Sequence, residues 1–225
     1  PAAHLMPLPA DWDFVKGAAV PEVFLTAFVN LFIEAQLAPG ETALVHGGAS
    51  GVGTAAIQLA RAAGARVLAT AGTAAKIERC RQLGAELAVN YRERDFADAI
   101  LEHCDGVDVI LDINAADYLE RNVRLLKHRG RLVLIALLSG SRAEIDLGQL
   151  LSKRLRLLGS TLRSRPDTEK SEIIRAFCER FWPLLVKGEI EPVIETIFPI
   201  ERADEAQQML AENRNIGKVI LKVRS

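Results

Sequence analysis

The chain has almost no excess of charge of either sign: twenty-nine acidic residues nearly cancel twenty-eight basic ones, leaving a net charge of -1. That balance, with no long run of one sign, argues against nucleic acid or a membrane surface as the main partner. Cysteine is equally scarce. Cys80, Cys104 and Cys178 are odd in number, scattered, and in no CxxC or Cys/His spacing. Neither a disulfide framework nor a structural zinc is indicated, and a reducing cytoplasm fits best. The sequence reads as lacking both a signal peptide and the apolar run of roughly 20 residues that a membrane helix needs. Internal repeats and low-complexity tracts are missing too. What is present is the composition of a soluble globular protein: 225 residues, 49% hydrophobic and 25% charged, enough for one buried core plus an appendage. The turn-rich opening from Pro1 to Asp13 reads as the tail of a preceding unit.

From about Glu41, short β-branched runs alternate with Ala-rich amphipathic segments. Strands are expected at Thr42–His46, Arg66–Thr70, Glu86–Val89, Asp108–Asp112, Arg131–Ala136 and Arg154–Leu158. Most are apolar throughout their middles, as expected of strands covered on both faces. Between them, Ala56, Leu59, Ala60 and Ala63 mark one helix ending at Gly64, Ala74–Leu83 a second ending at Gly84, and Tyr118–Lys127 a third. This spacing implies right-handed βαβ units and an α/β fold with a doubly wound, six-stranded parallel sheet. Beyond Pro166, Ile173, Ile174, Phe177 and Phe181 form a helical stripe that reads as packing, and Pro183 ends or kinks it. Residues Val193–Phe198, Arg202–Glu212 and Lys218–Val223 then read strand, helix, strand.

The chemistry begins where Leu44-Val45-His46 runs into Gly47-Gly48-Ala49-Ser50-Gly51-Val52-Gly53 and a helix. A strand, a glycine-rich turn and a helix form the required context of a dinucleotide fingerprint, although Ser50 stands where GxGxxG has its second glycine. The turn is expected at Gly48, a close backbone approach to a pyrophosphate at Gly51, and helix–strand packing at Gly53. Bare amides and the positive helix end would face the phosphates. The following strand ends in Leu68-Ala69-Thr70-Ala71-Gly72-Thr73-Ala74-Ala75-Lys76 with no acid to hold a ribose 2′-hydroxyl. Small residues, a hydroxyl and a lysine there suit a 2′-phosphate. Without that context Lys76 would be a solvated helix residue. A methyltransferase reading of the glycine turn would want the missing acid.

Pro21–Ala27, Gly47–Ala60 and Asn215-Ile216-Gly217-Lys218-Val219, with Gly84-Ala85, Asn90-Tyr91, Arg129-Gly130-Arg131 and Ser160–Arg165, resemble the medium-chain dehydrogenase/reductase superfamily. Within it the similarity is to the zeta-crystallin-like NADPH:quinone oxidoreductases, and it runs the whole length. The resemblance implies binding of NADP(H), with Gly48, Ala49, Ser50, Gly51, Val52 and Gly53 cradling the pyrophosphate. Gly72, Thr73, Lys76 and Tyr91 would surround the 2′-phosphate. Asn114, Leu137 and Leu138 would lie beside the nicotinamide and its ribose, with Leu162, Arg163 and Asn215 as further contacts. It implies hydride transfer to a quinone or activated alkene, and a homodimer paired through the sixth strand.

The same resemblance divides the chain into 1–18, the tail of a GroES-like catalytic domain, 19–163, the dinucleotide-binding domain, and 164–225, a segment that returns to that otherwise missing domain. Residues from about Ser164 would then lack their usual partner. The sequence departs from the family at Ala115-Ala116, where paired glycines are usual and extra methyl groups would narrow the groove or shift its backbone. No protein residue is expected as general acid. His46 reads as packed or hydrogen-bonded, and His103 and His128 as residues of surface helices. Pro21-Glu22 replace a nearby cysteine ligand, so no catalytic zinc is expected. The alternatives are an enoyl reductase on the same scaffold, or a non-enzymatic crystallin-like or RNA-binding role resting on Lys153-Arg154-Leu155-Arg156 and Arg163-Ser164-Arg165.

Overall fold

The structure is a computed structural model that describes residues 1–223. Its centre is six strands: β1 (Thr42–Val45), β2 (Arg66–Ala71), β3 (Leu87–Asn90), β4 (Val107–Asp112), β5 (Leu126–Leu134) and β6 (Arg156–Gly159). All pair in parallel, in the order β3-β2-β1-β4-β5-β6. The register sets Leu87, Leu68, Leu44, Ile110, Leu132 and Leu157 side by side in one row across the sheet. Because side chains alternate along a strand, neighbours such as Val45, Ala69, Leu111 and Val133 belong to the opposite face.

Each face needs its own cover, which is why the crossovers are helical. Among the described residues the helices are α1 (Phe14–Ala18), α2 (Pro21–Phe28), α3 (Gly51–Ala62), α4 (Ala74–Leu83), α5 (Phe96–His103), α6 (Leu119–Leu125), α7 (Leu147–Ser152), α8 (Asp167–Arg180), α9 (Trp182–Val186) and α10 (Ala203–Ala211). Phe96 and Ile100 of α5 and Val123 of α6 pack on the Leu44 row. Helices α2, α3, α4 and α8 cover the other face. Gly64 and Gly84 take left-handed conformations (φ 80° and 113°) where the chain leaves α3 and α4 and turns back, as their positions after helical stripes predicted.

Two expectations need correction. Phe14–Glu34 is a 21-residue helical run long and apolar enough to cross a membrane. It is mostly packed inside the protein, however, with Val23, Phe24, Ala27, Phe28, Val29 and Leu31 buried, so a core helix passes the same test. His128 lies exposed on β5 rather than in a helix, because α6 stops at Leu125 and the chain enters the sheet at Leu126. Residues beyond Ser164 pack within this chain: Phe177 and Phe181 lie edge-on against Phe28, with ring centroids 5.7 and 5.9 Å away. The α8 stripe therefore closes the same core as α2. The basic stretch is also partly consumed by the fold, since Lys153 Nζ donates to the carbonyls of Val123 and Arg124 and Arg165 pairs with Glu34 and Glu169.

After α9 the chain forms β7 (Ile194–Pro199), α10 and β8 (Lys218–Lys222), a parallel pair linked through a helix. It is tied back to the glycine-rich loop after β1: Gly217 N donates to Ala49 O at 2.8 Å, and Ser50 and Gly217 form an isolated parallel bridge.

After β4, Ala115 sits at φ 69°, ψ -105°, a conformation that suits glycine. Its amide donates to the buried carboxylate of Asp112, which fixes the turn. Replacing Ala115→Gly should therefore raise stability by about 1 kcal/mol, relief of strain exceeding the entropy that glycine adds to the unfolded chain. A melting temperature unchanged or lower would show the turn to be unstrained.

Candidate functional site

Strand order reverses direction between β1 and β4, the place in an open α/β sheet where ligands enter beyond the carboxyl ends of the strands. Three cavities line up there. The first, about 360 Å³, is bounded by Gly47, Ala49 and Ser50 after β1, Gly72 and Lys76 after β2, and Tyr91 after β3, with Asn114, Leu138 and Asn213. The second, about 350 Å³, shares Ser50 and Leu138 with it and adds Gly51, Val52 and Asn215. The third, about 540 Å³, meets the second at Glu22 and runs beneath α2, β5 and β6, past Leu162 and Arg163.

The glycine turn is built differently in detail from its sequence reading. Gly47, not Gly48, takes the positive φ, 63°. A Cβ on Gly48 would meet Ala69, Cys80 and Ile57, and one on Gly51 would meet Val23 and Lys218, so both glycines serve packing. Gly53 behaves as expected: a Cβ there would lie 2.2 Å from the Gly47 carbonyl oxygen. Ser50 caps α3 by accepting from Gly53 N at 3.0 Å. Among the described residues no acceptor stands against the amides of Ala49 and Val52, while part of the loop's backbone is taken by Gly217.

At the β2 end, Lys76 is only 7% exposed. Its Nζ donates to the backbone and side-chain oxygens of Asn213 at 2.6 and 2.7 Å, across 137 residues of sequence. Among the described residues no carboxylate is in ion-pair range of it. Burial pushes its pKa below the usual lysine value, the charge of Arg92 lowers it further, and the charge of Glu195 opposes this. Glu195 itself accepts from Ile216 N at 3.1 Å. Tyr91 lies over Gly72, where a Cβ would come within 2.6 Å of its hydroxyl and 3.1 Å of Arg92 Nε. A buried lysine destabilised by the charge of Arg92, on the wall of a cavity shared with Gly72 and Tyr91, is an environment that an anion would neutralise.

The far cavity has apolar walls, with Leu25, Ile135, Leu162, Ile173 and Ile174, and a few polar groups, Thr26, Asn30, Ser160 and Thr161. The loop after β6 is held there by Arg165, which donates to Thr161 O at 2.8 Å and Ser160 Oγ at 3.1 Å while pairing with Glu34.

Other expected contacts fall outside the cavities. Thr73 is exposed and caps α4 through Lys76 N, and Leu137 is exposed on the adjoining loop. His46 is fully buried, bonded to Thr70 Oγ1 and Asn122 Oδ1 at 3.0 and 2.8 Å. Desolvation holds its pKa below the usual histidine value, as its reading as a packed residue implied. Asn213, Arg92 and Asn30 were not singled out by the sequence. The signal for Asn213 is its left-handed backbone, φ 51°, at the end of a helix, a conformation that asparagine tolerates.

The family model described as zinc-binding dehydrogenase matches residues 51–177. The quinone oxidoreductase of Mus musculus is 33% identical over 224 residues, covering 96% of this chain and 65% of its own length. The chain thus spans just under two thirds of that relative. Among solved structures, the quinone oxidoreductase from Thermus thermophilus, determined also in complex with NADPH, is 34% identical, with a TM-score of 0.85 over 97% of this chain and 69% of that one. The CurK enoyl reductase is 29% identical, with a TM-score of 0.81 over 96% and 65% respectively.

Proposed function

The chain belongs to the zinc-binding dehydrogenase family of the medium-chain dehydrogenases/reductases, and on that premise we propose that it binds NADP(H) for hydride transfer to a quinone or activated alkene. The observation that carries the reading is Lys76: buried, without a carboxylate in ion-pair range, and lining one cavity with Gly72 and Tyr91. These features fit the 2′-phosphate of NADPH and give NADH nothing to neutralise. When bound, the cofactor supplies the hydride. The residues of this chain bind and orient it and exclude water.

In this reading, Ala49 and Val52 offer amides to the pyrophosphate at the positive end of α3. Asn114 and Leu138 border the first cavity, and Leu138 and Asn215 the second. Leu162 and Arg163 line the cavity at its far end. No side chain of the chain is assigned as proton donor, and Pro21 and Glu22 at the start of α2 support a zinc-independent reaction.

Fluorescence titration should find NADPH bound more tightly than NADH. Lys76→Glu should weaken NADPH by about 1.5–3 kcal/mol, the worth of a charge-assisted hydrogen bond, and leave NADH nearly unchanged. Preference for NADH in the wild-type protein would defeat the assignment. The likeness to the CurK enoyl reductase favours a second acceptor class, enoyl thioesters. A panel of quinones and enoyl thioesters separates the two.

A further inference from the structure

Asn213 stands just beyond α10, where helices commonly end in a left-handed glycine. Its amide donates to Leu210 O at 3.0 Å and that of Arg214 to Met209 O at 3.1 Å, the pair of bonds that closes such an end. Asn213 takes the left-handed conformation, with φ 51°. Glycine would meet that requirement with less strain, because it has no Cβ. What asparagine adds is a side-chain oxygen. Here Oδ1 accepts from Lys76 Nζ at 2.7 Å, while the Asn213 carbonyl oxygen accepts from the same nitrogen at 2.6 Å.

We propose that Asn213 is a positioning residue that sets the preference for a phosphorylated adenosine, by ordering Lys76 before the cofactor arrives. The inference rests on the NADP(H) reading above. A lysine ammonium is a point charge on a flexible stem, and ordering such a side chain only on binding costs affinity. Two acceptors from one residue remove that freedom in advance. An ammonium has three N–H donors. Two are engaged by Asn213, and among the described residues no other acceptor meets the third. Both residues line the first cavity. Aspartate in place of Asn213 would order the stem equally well but would neutralise the charge that a phosphate needs. The amide orders it and leaves the charge to the ligand. The segment that carries Asn213 is itself held, because Ile216 N donates to Glu195 Oε2 at 3.1 Å and Gly217 N to Ala49 O at 2.8 Å. The return of chain that closes on the glycine turn therefore also places Lys76.

The test is a fluorescence or calorimetric titration with NADPH and with NADH, of the wild type and of Asn213→Gly, each repeated in the Lys76→Met background. Asn213→Gly keeps the left-handed backbone and its carbonyl and removes Oδ1 alone, so it should fold as the wild type does. The ratio of NADPH to NADH affinity should fall about fivefold, the order expected when one flexible side chain has to be ordered on binding, with NADH binding unchanged. In the Lys76→Met background the same change should alter neither affinity. Should Asn213→Gly fail to fold, Asn213→Ala, which bears only the strain of a left-handed alanine, serves in its place with the same expected loss. A ratio left intact, an equal loss for NADPH and NADH, or a loss that persists in the Lys76→Met background overturns the role of Asn213 alone. Without a preference for NADPH in the wild type, the NADP(H) reading fails, and the inference with it.

Discussion

Gly53→Ala should weaken NADPH binding roughly 100-fold and destabilise the fold by about 1–3 kcal/mol, more than any other single methyl added to the glycine turn. The new Cβ would stand 2.2 Å from the Gly47 carbonyl oxygen and 2.8 Å from the Gly48 Cα and carbonyl carbon. All three are backbone atoms, so no rotamer change relieves the clash. Either α3 moves outward or the turn after β1 does. Either way the amides of Ala49 and Val52 leave their common orientation, and losing two phosphate contacts of about 1.5 kcal/mol each weakens binding roughly 100-fold. Gly51→Ala is the control. Its Cβ would press on Lys218 Cδ and Val23 Cγ1, ends of side chains that can yield, so the loss should be much smaller. Equal effects of the two changes in melting and titration would mean that the α3–turn contact has no special role.

The parallel sheet was legible because its strands are covered on both faces and must be apolar throughout, and because Gly64 and Gly84 mark where crossovers turn back. The bounds of α4 agree with the stripe from Ala74 to Leu83. The glycine turn was legible as the tight passage from β1 into α3 but not in its division of labour. Gly47 and Gly48 are adjacent residues without side chains, and only the pairing of β1 with β2 and β4 decides which takes the positive φ. The partners of Lys76 were out of reach for another reason. Asn213 lies 137 residues away, and the contact exists because β8 returns along the loop at Ser50. Asn30 was hidden inside an apolar helix, where one amide in a run of hydrophobic residues gives no periodic signal. The sequence thus shows elements whose residues act on near neighbours and conceals those that meet only when distant segments close.

Arg131 is the extreme case of such a distant meeting, and Arg131→Met should cost about 3–5 kcal/mol, the usual penalty for removing one partner of a buried ion pair. The side chain belongs to a residue of β5 that is 7% exposed and lines none of the three cavities of the cofactor track. Its guanidinium holds both oxygens of Glu41 at 2.8 and 2.7 Å, and donates to Ala35 O at 2.8 Å and Gln36 O at 3.2 Å. It thereby fastens the segment leading from α2 to β1, including the left-handed Gln36, to the sheet. Methionine fills most of the volume but removes the arginine donors from the carbonyls of Ala35, Gln36 and Asp108 and from the Glu41 carboxylate. For a domain of this size that is a fall in melting temperature of about 10 °C. The pH dependence identifies the cause. The hydrogen bonds from Arg131 hold Glu41 below its ordinary pKa of 4.5. A carboxylate with a depressed folded-state pKa contributes stability that is complete above its unfolded value and is lost as pH falls through the folded one. The wild type should therefore lose this contribution in acid, below about pH 4.5, where Arg131→Met, left with only the Ala38 amide and the charge of Arg156 to favour ionised Glu41, has less to lose, so the two stability curves should draw together. Adding Glu41→Leu to Arg131→Met should recover part of the deficit at neutral pH, since it removes the stranded charge. Parallel curves for wild type and single variant through the acid range would show that the penalty arises from packing and not from the ion pair.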